Sequence, residues 1–161
     1  MSDRREQEVT VRPARPADLP GLVASSAALF AEDAGTRDPA VNTDWPRTHG
    51  ADAFTAALDD PARLLLVAEC GDEVVGHLSG SLTPASAVRP VPTATLAGLY
   101  VRPAYRRART GTRLVEAFLA WAKERGAGQA EVSAYVANTD AVRFYERHGF
   151  GAHSVTLRHP L

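Results

Sequence analysis

The chain has 161 residues and is 45% hydrophobic, which suits one domain with a full core and leaves no room for a second of ordinary size. A formal net charge of −1 argues against a uniformly basic nucleic-acid binder, and no apolar run is long enough to cross a bilayer. The single cysteine, Cys70, rules out an internal disulfide, a zinc cluster or a redox pair, so no metal is expected.

The first residues, 1–8, are charged and polar with no apolar run behind them, which predicts a disordered N-terminus and no secretory signal. The protein is therefore expected to be cytoplasmic, with one domain over residues 9–161. Residues 9–12 alternate like a short strand. Pro16-Ala17-Asp18 opens a helix in which Leu19, Leu22, Val23, Leu29 and Phe30 recur at helical spacing. The pattern lapses over residues 31–47, read as a loop, and a weaker helix follows at 51–58, stopped by Asp59-Asp60-Pro61. Residues 63–70 and 73–82 are strand-like and flank Gly71-Asp72, a hairpin signal. Three prolines make residues 83–92 an exposed loop, after which residues 93–102 form a strand ended by Pro103.

A basic turn comes next. Residues 110–125 then give the clearest helix, with Leu114, Val115, Phe118, Leu119 and Ala122 on one face and Gly126 as its stop. Residues 129–136 read as a strand, 138–148 as a short helix ending before Gly149, and 150–157 as a last strand. The order β-α-α-β-β-β-α-β-α-β predicts a single α/β domain: a mixed, mostly antiparallel sheet with helices on both faces.

Charge is distributed unevenly. Residues 1–80 carry seven arginines and no lysine against fourteen carboxylates, whereas residues 81–161 carry eleven basic side chains against five acidic ones. An anion would be drawn to the second half and a cation to the first. The basic turn, Arg106-Arg107-Ala108-Arg109 before Thr110-Gly111-Thr112, suits a phosphate: the first amides of a helix lack internal partners and sit at its positive end, and Gly111 leaves room for the anion. Downstream, Asn138 is a helix N-cap, and Ala141, Phe144, Tyr145 and His148 share one face by their spacing.

Together these stretches resemble the signatures of the GNAT (Gcn5-related N-acetyltransferase) family. The first, a strand ending Val-x-Pro, then Arg or Gln, two residues, Gly, one residue and Gly or Ala, is matched at its ends by Arg106 and Gly111, with Arg109 standing at the first glycine, where a positive φ would be costly. The second is matched by Asn138, Ala141, Phe144, Tyr145, Gly149 and Phe150. The resemblance implies acetyl-CoA as cosubstrate, its phosphates on the turn from Arg106 to Thr112 and its pantetheine arm near Asn138 and Phe144. It also implies an acetyl carbonyl held by backbone amides at Leu99 and Val101, with Tyr100 between them, and Tyr145 as the acid that protonates the leaving thiolate.

Many relatives carry a glutamate base on the strand before the turn. Ala97 and Gly98 stand there in this chain, and neither accepts a proton. His49, His77, Glu32, Asp33 and Asp44 are alternatives by chemistry, as is water. The acidic segment 31–47, with Trp45 as a wall, favours a primary amine on a small cationic metabolite or antibiotic, attacking directly in a ternary complex. Two other readings stay open: acetylation of a protein N-terminus or lysine, and a non-catalytic CoA-binding regulatory module. No nucleic acid and no membrane is expected as partner; a homodimer is left open.

Overall fold

The computed structural model describes residues 8–161; the disorder expected of residues 1–8 falls, save for Glu8, outside the described residues. Its strands are β1 (Thr10–Pro13), β2 (Arg63–Cys70), β3 (Glu73–Thr83), β4 (Thr93–Val101) and β5 (Gln129–Val132). The helices are α1 (Leu19–Glu32), α2 (Ala34–Arg37), α3 (Trp45–Leu58), α4 (Thr110–Glu124) and α5 (Thr139–Arg147), with 3-10 turns at Pro16–Asp18 and Pro103–Tyr105. The sheet order is β1-β2-β3-β4-β5, antiparallel except for the parallel pair β4–β5.

Alternation along β2 divides the core between the two faces. Leu65 and Val67 pack with Leu22, Phe54 and Ala57 under α1 and α3, whereas Leu66 and Ala68 pack with Leu78, Leu96, Leu114 and Phe118 under α4. Phe118 is fully buried and meets the sheet where Gly80 has no side chain, its ring 3.1 Å from the position a Cβ would take. Truncating such a ring to alanine costs about 3–5 kcal/mol. Gly71, at φ +62, closes the β2–β3 hairpin, and Gly126, at φ +79, ends α4, both in the left-handed region that glycine enters freely.

Three sequence expectations are corrected. Residues 31–47 are not one loop: α2 lies within them, and α3 starts at Trp45 because Pro46, whose missing N–H costs nothing in a first turn, favours initiation there. The strand expected at 129–136 stops at Val132. Residues 150–157 form no strand at all, and Val155 and Leu157 are exposed: their alternation is strand-like, but a strand forms only where a neighbour takes its backbone bonds, and none does.

The site is positioned by an irregularity in β4. Ser79 pairs with Gly98 and Gly80 with Leu96, so Ala97 is an extra residue, a bulge. The parallel pairing with β5 ends at the same place, Leu96 with Val132, while β4 runs on to Val101. From Ala97 onward the two strands part, leaving one edge of β4 open.

Candidate active site

The open edge of β4 presents backbone donors. Arg102 N–H bonds the Val75 carbonyl at 2.8 Å, and the alternation of an antiparallel ladder then makes Tyr100 and Gly98 the residues that bond β3. The N–H groups of Leu99 and Val101 consequently turn away from β3, into the gap.

Beyond Val101 the chain makes the basic turn. None of the amides of residues 107–112 donates a hydrogen bond within the described chain, and the first bond of α4 runs from Arg113 N–H to the Arg109 carbonyl. The Thr110 hydroxyl, fully buried, has no partner among the described residues. Six undonated amides and the positive end of a fifteen-residue helix suit a diphosphate. Arg109 adopts φ +62, ψ 14, the one non-glycine residue at positive φ among those described; the cost foreseen from the sequence is present in the fold.

Two residues of the turn also make packing contacts with α5. Gly111 leaves room for Phe144, since a Cβ there would lie 3.3 Å from the ring. Thr112 Oγ1 meets His148 Nε2 at 3.2 Å, so the start of α4 and the inner face of α5 are packed together. Arg106 turns its guanidinium towards α1: Nε donates to the Val101 carbonyl at 2.8 Å, Nη2 to Glu32 at 2.6 Å, and the group lies 5.4 Å from the Tyr100 ring. Arg107 and Ala108 are exposed beside it.

Against the start of α4 stands α5. The Asn138 side chain accepts from the Ala141 amide at 3.2 Å, the N-cap bond foreseen from the sequence, and donates to Asp33 at 3.2 Å. Tyr145 is flanked edge-on by Phe144 and Phe150, ring centres 5.3 and 5.8 Å away, and no described group bonds its hydroxyl. Burial, followed by the negative charge of Asp33, pushes the Tyr145 phenol up to about 12, so it stays protonated throughout the physiological range.

Asp38, one of the carboxylates that make segment 31–47 acidic, meets two residues that sequence reasoning missed, Tyr135 and Arg158. Asp38, just after α2, is 6% exposed and accepts from Arg158 at 2.8 Å, the Ala40 amide at 3.0 Å and the Tyr135 hydroxyl at 3.4 Å. Tyr135 follows β5, and its phenol is raised by burial first, then by Asp38 and Asp33. No spacing in the sequence joins residues a hundred positions apart, and only the net acidity of segment 31–47 hinted at them.

His77 lies beneath the bulge, its Nε2 3.9 Å from the position a Cβ at Gly98 would take. It is buried under α1 and α3, its Nδ1 2.5 Å from Ser25 Oγ, and burial pushes its pKa down to about 4. Ala97 and Gly98 supply no carboxylate, as the sequence indicated, whereas Glu32 and Asp33 do reach the site through Arg106 and Asn138.

The profile of the acetyltransferase (GNAT) family matches residues 29–150, which include the bulge, the turn and α5. No curated protein matches the chain. Among solved structures, one described as a transcriptional regulator from Bacillus halodurans C-125 is 30% identical, with TM-score 0.77, over 96% of this chain and all of that one. The aminoglycoside N-acetyltransferase AAC(6')-Iy in complex with CoA is 15% identical with TM-score 0.77, covering 98% of this chain and 97% of its own. An aminoglycoside acetyltransferase from an uncultured soil metagenomic sample, solved with trehalose, is 18% identical with TM-score 0.70, covering 100% of this chain and 99% of its own. With the family's two signatures packed against each other beside the open edge of β4, the chain belongs to the acetyltransferase (GNAT) family, whose acetyl donor is acetyl-CoA.

Proposed function

We propose that this protein transfers the acetyl group of acetyl-CoA to the primary amine of a small cationic acceptor, by direct attack in a ternary complex. What supports the reading is the open edge of β4 beyond Ala97, together with the unbonded hydroxyl of Tyr145 and with Asp33, which bonds Asn138 at the start of the helix that carries Tyr145.

Each part has a chemical task. The amides of residues 107–112 hold the pyrophosphate of acetyl-CoA, and Asn138 and Phe144 border the arm that leads from it to the gap. As the amine attacks, the carbonyl oxygen gains negative charge, and the N–H groups of Leu99 and Val101 meet it without reorganising. The carbon–sulfur bond then breaks, and Tyr145 supplies the proton to the departing thiolate. An alkylammonium of pKa ~10.4 is neutral in only about one molecule in a few thousand at pH 7, so carboxylates near the gap favour its capture but the proton must still leave. With no acceptor at Ala97 or Gly98, that proton passes to water or to the carboxylates of Glu32 and Asp33.

The test is CoA release, followed with a thiol reagent, for acetyl-CoA with an aminoglycoside, a polyamine, a monoamine and a lysine-bearing peptide, each product checked by mass. Release that depends on a small cationic amine, with a mass gain of one acetyl group, is expected. Release with the peptide alone would move the assignment to protein acetylation, and no release with any amine would leave a CoA-binding module in place of an enzyme.

A further inference from the structure

We propose that Asp38 is the carboxylate that receives a second, non-reacting positive charge of the acceptor, and that Arg158 occupies it as a built-in competitor which the acceptor displaces. This rests on the amine-acceptor reading above and names the acceptor class more narrowly: a small polycation with at least two ammonium groups.

Arg158 first, then the Ala40 amide, hold the Asp38 carboxyl below the usual carboxylate range, so it is charged. Two of its donors, the Ala40 amide and the Tyr135 hydroxyl, are neutral. The third, Arg158, is a full cation on a stretch without regular structure. Among the described residues, the Arg158–Asp38 pair is the only hydrogen bond or ion pair that joins residues 151–161 to the rest of the chain. The arginine side chain is 65% exposed, so detaching it forfeits one solvent-screened contact, whereas the carboxylate it leaves needs another cation.

The electrostatics join this carboxylate to the reacting end. Asp33 and Asp38 both act on the Tyr135 phenol, and Asp33 also acts on Tyr145. Asp33 bonds Asn138, the N-cap of the helix that carries Tyr145, and Asp38 bonds Tyr135 three residues earlier, so a polycation with its reactive amine at Tyr145 carries its second charge past Asp33 to Asp38. Exchange of an ammonium for the guanidinium conserves charge at the buried group, which makes Arg158 a stand-in for the acceptor.

Arg158→Gln and Asp38→Asn in the full chain are compared with the parent in CoA-release kinetics at saturating acetyl-CoA, with kanamycin, spermidine and n-butylamine as acceptors. Removing the competitor should lower the KM of kanamycin or spermidine about two- to fivefold, the scale of an exposed ion pair, and leave that of n-butylamine unchanged. Asp38→Asn should raise the polycation KM about tenfold or more, as loss of a charged hydrogen bond does, with the acetyl-CoA KM unmoved in both variants. An unchanged or raised polycation KM in Arg158→Gln overturns the competitor role. An unaltered KM in a folded Asp38→Asn protein overturns the recognition role, and turnover of n-butylamine alone overturns both. Should Asp38→Asn fail to fold, the surface change Arg158→Gln still decides. No release with any of the three amines sinks the amine reading itself, a result distinct from release with the wrong KM pattern.

Discussion

Arg109→Gly separates the backbone of the phosphate turn from its charge. At φ +62 an L-residue pays roughly 1–2 kcal/mol that glycine does not, while glycine's freer unfolded chain returns about 0.5–1 kcal/mol of that gain. The Arg109 side chain is exposed and, among the described residues, makes no hydrogen bond or ion pair, so its removal forfeits no contact. The net is a stabilisation of ~0.5–1 kcal/mol, which in a chain of this size raises Tm by about 1–4 °C. Arg109→Ala removes the same charge and keeps the strain, so it should bring no such rise. Both variants should bind acetyl-CoA with similar or slightly lower affinity in calorimetry, since each loses one cation near the pyrophosphate. A Tm for Arg109→Gly at or below the parent's would refute the strain argument, and a several-fold gain in affinity would show that the arginine obstructs the turn.

Two further expectations concern packing and protonation. Gly111→Ala should leave Tm within a degree or two, because Phe144 is half-buried and can yield a few tenths of an ångström, whereas Gly111→Leu should cost about 1–3 kcal/mol and weaken acetyl-CoA binding as Phe144 is driven off α4. His77, depressed to about 4 by burial, is neutral in the folded chain while its unfolded counterpart takes up a proton below ~6.5. Stability present above pH 6.5 is thus lost as pH falls towards 4, and urea unfolding at pH 7 and pH 5 should differ by about 2 kcal/mol more in the parent than in His77→Gln.

What the sequence revealed was local. Asn138, Phe144 and Tyr145 lie on one short helix, so spacing alone aligns them, and the basic turn is contiguous. The bulge at Ala97 depends on how β3 and β5 pair with β4, which no single strand encodes. The bonds of Asp33 with Asn138 and of Asp38 with Tyr135 and Arg158 join positions 97 to 120 residues apart, and no periodicity spans such a distance. The missing last strand is the converse case: residues 150–157 carry a strand's alternation, but tertiary context gives it no partner.

The role of Tyr145 in protonating the leaving thiolate tests the account most directly. Phenylalanine preserves the ring that packs between Phe144 and Phe150 and deletes only the hydroxyl, which no described group bonds. In single-turnover measurements with acetyl-CoA and a turned-over amine, Tyr145→Phe should slow acetyl transfer by roughly 10²–10⁴-fold, with acetyl-CoA affinity and Tm nearly unchanged. A transfer rate equal to the parent's in a folded, acetyl-CoA-binding variant would contradict it.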